Sequence, residues 1–319
     1  MKNRFLIHTV LLICCLSLNL TGCRKAEVKP AAGLQVVTSL FPLYDFARTI
    51  AGDKASVTLL LPPGMEPHTF EPKPEDMIRI AKSGLFIYTG PHMEPWADRV
   101  IKGIDNKALR VVEAGKLVAY RAAASDDDHH ESKNGKHHEH AVMDPHIWLD
   151  FTNAASLVDA ILEGFNSADP ANSDLYRKNA VALKGRLTAL DARFTEALAS
   201  CDTRHFLHGG HYTFGYLARR YKLDYHALSG VSSDSEPSAV RMASIIRQIR
   251  ASGVKYMFAE ELLSPRLAET LAREAGVQLL TLHGAHNLSR DEFSRGITFF
   301  DLMNTNLERL QKGLQCRAK

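Results

Sequence analysis

The sequence predicts an α/β fold of two lobes, each with a roughly four-stranded parallel sheet flanked by helices, joined by one long rigid helix. From Leu34 onward, short apolar runs alternate with amphipathic segments, which is the pattern of parallel strands with helices on the faces of the sheet. In the middle of the chain the alternation gives way to apolar residues at helical spacing, and it then resumes. The 319 residues are 45% hydrophobic, which is enough to form one or two substantial cores.

The first lobe is predicted to span residues 34–150. Its strands are expected at residues 35–39, 57–61, 85–88 and 110–113, with helices at 43–51, 75–83 and 96–104. Gly52 is a suitable end for the first of these helices and Pro74 a suitable start for the second. Glycine tolerates the left-handed backbone that ends a helix, and proline lacks an N–H that a helix N-terminus leaves unpaired anyway.

Residues 151–200 are predicted to be linking helices, at 153–165 and 172–200. In the longer one, apolar side chains recur at three- and four-residue steps: Leu183, Leu187, Leu190, Phe194 and Leu198.

The second lobe is predicted to span residues 201–319. Its strands are expected at 205–207, 224–228, 256–259 and 278–282, and its helices at 213–221, 238–251, 265–275 and 292–314.

Residues 1–22 have the pattern of a lipoprotein signal peptide, and residues 23–33 that of a tether. Lys2 and Arg4 precede an apolar stretch that is too short to span a bilayer. The ending Leu-Thr-Gly-Cys23 resembles a bacterial lipobox, which implies cleavage before Cys23 and acylation of its thiol; an ordinary signal peptide with an incidental cysteine is the alternative. We therefore expect an extracytoplasmic protein, lipid-anchored to the bacterial cell membrane at its periplasmic face or at the cell surface.

The charge and the remaining cysteines limit the choice of partners. A net charge of +3 provides neither the basic surface of a nucleic-acid-binding protein nor a polybasic membrane patch. Export permits a disulfide between Cys201 and Cys316. Two buried free thiols are the alternative, because sequence spacing does not decide between them.

Residues 125–140 form an insert rich in histidine and aspartate, without an apolar residue to bury, so a loop is predicted there. Its imidazoles make it a candidate accessory metal loop: His129, His130, His137, His138 and His140. A His-rich tract binds divalent metals weakly whatever its purpose, and a solvated linker without a function is the alternative.

Four histidines lie directly after predicted strands or in the loops beyond them, where open α/β sheets bind their ligands: His68, His146, His211 and His283. Imidazole suits zinc, copper, iron and nickel. A single loop histidine is usually a surface or hydrogen-bonded residue, and we assign His92, His205, His208, His226 and His286 to that class. The prediction of a metal site therefore depends on the coincidence of strand-end positions in both lobes. Glu260 also follows a predicted strand directly.

Four motifs carry a resemblance to a known family: VVTSLFPLYDF at 36–46, PGMEPHTFEP at 63–72, MDPHIW at 143–148 and HYTFGY at 211–216. In this order they resemble the solute-binding proteins of zinc- and manganese-importing ABC transporters, over nearly the whole mature chain. The resemblance implies that His68, His146 and His211 are metal ligands. It also implies an ABC permease and its ATPase as partners, and we expect a monomer. Zinc-binding members often carry a His-rich loop like the insert.

The fourth ligand position departs from the family pattern. The family commonly has an aspartate directly after the last strand, where this chain has His283. Either His283 coordinates the ion, giving four histidine ligands that favour Zn²⁺ over Mn²⁺, or it points away and Glu260 or water completes the site. Each imidazole should donate its second N–H to an acceptor, for which Glu66, Glu71 and Asp144 are candidates.

The predicted function is an extracytoplasmic receptor that captures Zn²⁺ between its lobes and delivers it to the permease. Zinc affinity should collapse in mild acid, because metal binding requires neutral imidazoles. A manganese- or iron-binding receptor of the same transporter class is one alternative. A metal-dependent hydrolase with Glu260 as base is another, but an H-E-x-x-H signature is absent and we predict no enzyme. A metal-buffering or adhesive surface protein that uses the insert alone is the third.

Overall fold

The computed structural model describes residues 33–123, 142–231, 237–261 and 266–317. The segment from Gly33 to Lys319 forms one compact unit. The predicted signal peptide, the predicted lipidation site Cys23 and the His-rich insert with its five histidines lie outside the described residues. Within the described ranges, no helix combines the length and the apolar composition that a membrane crossing requires.

The first lobe contains a four-stranded parallel sheet in the order β2-β1-β3-β4. Its strands are β1 (Leu34–Thr38), β2 (Ala55–Leu59), β3 (Leu85–Tyr88) and β4 (Arg110–Glu113). Helices α1 (Phe41–Ala51), α2 (Pro74–Lys82) and α3 (Ala97–Lys102) connect them. The run Leu-Phe-Ile-Tyr of β3 is buried along its whole length, as expected for an inner strand with both faces covered.

Two helices connect the lobes, α4 (Phe151–Ala168) and α5 (Ser173–Leu198). Every residue of the apolar stripe predicted for α5 is buried, and the helix packs against α4 and α1. An amphipathic helix of this length derives its stability mainly from such packing.

The second lobe repeats the arrangement, with the sheet order β6-β5-β7-β8 and all strand pairs parallel. Its strands are β5 (His205–His208), β6 (Asp224–Ala227), β7 (Tyr256–Glu260) and β8 (Gln278–Leu282). Its helices are α6 (Gly215–Arg220), α7 (Ala239–Ser252), α8 (Arg266–Ala275), α9 (Arg290–Ser294) and α10 (Phe299–Gly313). The predicted two-sheet α/β fold is thus confirmed.

The prediction of one continuous final helix over residues 292–314 is wrong. Gly296 adopts a φ of 69° and ends the first segment, α9. Thr298 then caps α10 through a reciprocal pair of hydrogen bonds with Asp301, so that a new helix begins at Phe299. Both signals are present in the sequence, but the apolar periodicity on either side obscures them.

Cys201 and Cys316 are joined by a disulfide, which decides between the two alternatives that the sequence leaves open. The bond connects the segment after α5 to the segment after α10. It lies at the amino-terminal side of β5, whereas the loops that carry the predicted metal ligands leave the carboxyl ends of the strands.

Candidate metal centre

Four histidine side chains converge in the described part of the chain: His68, His146, His211 and His286. Each offers one ring nitrogen, and these four atoms lie within 4.8 Å of one another. The Nε2 atom of His146 is 3.2 Å from the Nε2 atoms of both His68 and His211. Two nitrogen ligands at about 2.0–2.1 Å from a tetrahedral zinc ion are about 3.3 Å apart, so these separations suit a single shared ion.

The ligand candidates come from both lobes and from loops that follow strands. His68 lies in the loop after β2, and His146 lies just before α4. His211 follows β5, and His286 lies four residues after β8. His146, His211 and His286 are at most 2% exposed, whereas His68 is half-buried and marks the side of the group nearest to solvent.

His283 is not part of this group, contrary to the expectation that it supplies the fourth imidazole. Its Nδ1 atom lies 3.0 Å from a carboxylate oxygen of Glu261, and its Nε2 atom lies 3.8 Å from Glu292. The fourth member of the group is His286, for which the sequence predicts a surface or hydrogen-bonded role. The spacing His283-Gly-Ala-His286 offers a second histidine three residues further on, but the position directly after the strand favours His283.

The backbone between the two histidines explains this placement. Ala285 adopts a φ of 57°, in the left-handed region that is unfavourable for most residues other than glycine. Gly284 lies against the imidazole of His286, and a Cβ atom at this position would be 2.4 Å from Cε1 of that ring. The chain therefore turns after His283 and needs glycine at 284 for the ring of His286 to fit.

Asp144 orients His146. The carboxylate accepts hydrogen bonds from the ring Nδ1–H, at 2.7 Å, and from the backbone N–H, at 3.0 Å. Because Nδ1 carries the proton, Nε2 presents its lone pair to the histidine group. Of the three predicted acceptors, Asp144 thus accepts from an imidazole. Glu66 accepts from the backbone N–H of His68, and Glu71 pairs with the exposed Arg99.

Glu260 orients His211 in the same way. Its Oε2 atom lies 2.7 Å from Nδ1 of His211, so Nε2 of this ring also faces the group. The sequence also offers Glu260 as an alternative metal ligand, but its carboxylate lies behind His211 and is absent from the converging set of donor atoms. Thr213 Oγ1 is 2.8 Å from Nε2 of His211.

The buried environment sets the protonation of the four rings. Burial, assisted by the neighbouring His211, lowers the pKa of His68 to about 3. Burial also holds the pKa values of His146 and His286 well below the usual range. For His211, burial again favours the neutral ring, but the adjacent carboxylate of Glu260 outweighs it and raises the pKa. Three of the four rings are therefore neutral at physiological pH without a bound metal, as zinc coordination requires.

His286 also has an unpartnered nitrogen. Its Nε2 atom is buried and has no hydrogen-bond partner among the described residues. A buried polar atom without a partner costs free energy, and a metal ion among the four rings would give it one.

Comparison with known proteins agrees with this geometry. The family model of ZnuA, described as zinc-uptake complex component A, periplasmic, matches residues 36–313. The zinc-binding protein AdcA of Streptococcus pyogenes is 32% identical over 319 residues, covering 98% of this chain. The chain spans 61% of the length of that relative. The high-affinity zinc uptake system protein ZnuA of Bacillus subtilis is 32% identical over 302 residues, covering 93% of this chain and 94% of the relative.

Solved structures show the same fold. The Zn(II)-bound ZnuA-like domain of Streptococcus pneumoniae AdcA superposes with a TM-score of 0.74 at 30% identity, covering 88% of this chain and 99% of the domain. The laminin-binding protein Lmb of Streptococcus agalactiae, described as having adhesin and metal transporting activity, gives a TM-score of 0.76 at 28% identity, covering 88% and 100%. The family match over most of the sequence, with the shared fold, shows that this chain belongs to the ZnuA family.

Proposed function

We propose that this protein is the extracytoplasmic receptor of an ABC zinc importer. It captures Zn²⁺ with His68, His146, His211 and His286 and delivers it to the membrane permease. The observation that supports this most strongly is the convergence of four imidazoles from both lobes, with three Nε2 atoms linked by 3.2 Å separations. The names of the AdcA and ZnuA relatives, which are zinc-binding or zinc-uptake proteins, support the choice of cargo.

The donor set favours zinc over manganese. Imidazole nitrogen suits zinc, whereas manganese prefers oxygen donors. The carboxylates of Asp144 and Glu260 lie behind His146 and His211 and accept their Nδ1–H groups. They strengthen the imidazoles as ligands and fix their tautomers, but they are not in the converging set.

A full set of four protein ligands favours binding over catalysis. Catalytic zinc sites keep one position open for water or substrate, whereas closed four-ligand sites hold the ion. The descriptions of the relatives as a zinc-uptake component and a zinc uptake system protein point the same way. We therefore infer that the protein is a receptor without a hydrolytic activity.

We further infer that it is monomeric, anchored by lipid at Cys23, and works with a permease and an ATPase.

Metal capture and release would take place on the side of His68. This ring is the half-buried member of the group, so an ion approaching from solvent meets it first. The three buried rings are held by their surroundings, and the His68 loop is therefore the segment whose movement would release the ion.

Competition titration of the chelator-stripped protein tests this function. We expect one tight zinc site that survives deletion of residues 125–140 and that prefers Zn²⁺ to Mn²⁺ by orders of magnitude. Cobalt substitution should give the intense visible absorption of a tetrahedral site without an exchangeable water ligand. Loss of the tight site with the insert, or a preference for Mn²⁺, would contradict the proposal.

A further inference from the structure

Asn287, the residue after His286, connects the two lobes directly. Its Nδ2 group donates hydrogen bonds to the backbone carbonyls of Pro62, at 2.8 Å, and Met65, at 2.9 Å. The side chain is fully buried, and its Oδ1 atom accepts from the N–H of Leu288. All of its polar atoms are therefore used, and both donor hydrogens point to the loop that leads to His68.

The backbone around His286 adds further bonds between the lobes. The N–H of Gly64 donates to the carbonyl of Leu288 at 2.7 Å, and the N–H of Phe41 donates to the carbonyl of His286 at 3.2 Å. The indole Nε1–H of Trp148, two residues after His146, donates to the carbonyl of Gly284 at 2.8 Å. Segment 284–288 is thus bonded to the first lobe on both sides of its ligand.

The base of this segment is fixed to its own lobe. Asn306, on α10, accepts from the N–H of His283 and donates to the carbonyl of the same residue, both at 2.8 Å. Segment 284–288 therefore begins at a fixed point on the second lobe and ends on the loop of residues 62–65. A displacement of either loop must break bonds made by Asn287.

We propose that Asn287 is a positioning residue that sets the separation of His68 from His286 across the cleft. This inference rests on the proposed zinc site and deepens it. The hydrogen bonds of its side chain go to the backbone of Pro62, Met65 and Leu288 rather than to a ring of the histidine group. It acts because Met65 is three residues from His68 and Asn287 is adjacent to His286, so that one amide holds both ligand loops.

The physical effect follows from burial. Without the Nδ2 donors, two buried carbonyls lose their hydrogen bonds, and their loops gain freedom to move toward water. A metal site requires its ligands within about 0.5 Å of the productive geometry, so a looser pair of loops weakens coordination without removal of any ligand.

The test compares Asn287→Ala with Asn106→Ala in the full chain. Asn106 is a matched control, because its Nδ2 also donates to two carbonyls, those of Ala81 and Ser83, on the side of the first lobe away from the ligand loops. Both variants should lower the unfolding temperature. Asn287→Ala alone should weaken zinc affinity about tenfold or more, accelerate zinc dissociation, and reduce the visible absorption of the Co²⁺-loaded protein.

A double-mutant cycle separates positioning from general stability. In a His68→Ala background, Asn287→Ala should cost clearly less affinity than in the wild type, because one of the two loops it positions no longer carries a ligand. Asn287→Ser, which leaves a smaller void and loses the same two bonds, provides the comparison if the alanine variant does not fold.

Unchanged zinc affinity and Co²⁺ absorption in the Asn287 variants, or full additivity with His68→Ala, would overturn the positioning role while the zinc site itself stands. A wild-type protein without a tight zinc site would overturn the proposed function, and the positioning role with it.

Discussion

Glu260 accepts two hydrogen bonds from His211, one from the ring Nδ1–H at 2.7 Å and one from the backbone N–H at 3.2 Å. Gly210 lies so close that a Cβ atom there would be 2.5 Å from Oε2 of Glu260. The carboxylate is therefore confined to the edge of the imidazole that faces away from the histidine group. It selects the tautomer that presents Nε2 to the ion.

Glu260→Gln should weaken zinc binding about 10- to 100-fold, which is the usual effect of removing a carboxylate that orients a metal-binding imidazole. The amide removes the charge that raises the pKa of His211 and favours neither tautomer as strongly. Competition titration checks this, with Glu71→Gln as the control, because Glu71 makes an exposed ion pair with Arg99. Equal affinities for the two variants would contradict an orienting role.

Zinc affinity should depend on pH mainly through the protons of His211 and Asp144. The pKa of His68 is about 3, and those of His146 and His286 are well below the usual range, so these rings do not bind protons in mild acid. His211 has a raised pKa and must lose its proton when zinc binds. Burial raises the pKa of Asp144 to about 7, and its ionised form is the one that orients the ring of His146. Affinity should therefore fall by about ten- to a hundredfold per pH unit where one or both of these groups are protonated, and level off above both pKa values.

Competition titrations between about pH 5 and pH 8 measure this slope. Deletion of residues 125–140 removes the accessory histidines from the signal. The sequence predicts a collapse of zinc affinity in mild acid, and the burial of His68, His146 and His286 makes the expected pH dependence shallower. A slope of three or four protons in this range would contradict the buried, neutral state of the other rings. Glu260→Gln should move the part of the dependence that is due to His211 to lower pH.

Gly284→Ala should lower zinc affinity with the fold retained. The new Cβ atom would be 2.4 Å from Cε1 of His286, so the ring has to move away from its position. The control is Gly185→Ala on α5, where no atom of the described residues, apart from the neighbouring residues and backbone of the same helix, lies within 4 Å of the added carbon. This control should keep its zinc affinity and gain about 1 kcal/mol of stability, since alanine favours the helix more than glycine. The same zinc affinity for both variants would show that Gly284 does not support His286.

Loss of the disulfide should reduce stability without an effect on zinc binding. Cys201 and Cys316 are 115 residues apart in sequence, and their bond restricts a long loop of the unfolded chain. Replacing both by serine should cost about 2–5 kcal/mol of unfolding free energy, measured by denaturant titration of the metal-free protein. Zinc affinity should remain unchanged because the bond lies at the opposite end of β5 from His211. A marked loss of affinity would contradict this separation.

Much of the fold could be predicted because its signals are local. Helix α5 has one apolar stripe at helical spacing, and β3 is a short continuous apolar run, so both follow from periodicity. The division of the last helix at Gly296 could not be predicted in this way, because apolar residues continue on both sides of the break. The disulfide requires the ends of α5 and α10 to lie close together in the fold. The distance between two cysteines along the sequence does not predict this proximity.

The sequence predicts those ligand positions of the candidate site that follow the ends of strands. His68, His146 and His211 lie where loops leave the carboxyl ends of strands, and the structure brings them together. The fourth position depends on a left-handed turn at Ala285 and on the close fit of Gly284 against a ring. These are properties of a folded loop, so the choice between His283 and His286 required the structure.

The most direct test of the zinc site is the affinity of His286→Ala compared with His283→Asn. In the native protein, the N–H of Ala285 donates to Nδ1 of His283 at 2.9 Å. Asparagine at position 283 keeps a polar group near this N–H. We expect His286→Ala to lower zinc affinity more than about a hundredfold, which exceeds the usual effect of removing a residue that orients a ligand. We expect His283→Asn to lower zinc affinity less than about tenfold. The reverse order would contradict the ligand set of His68, His146, His211 and His286.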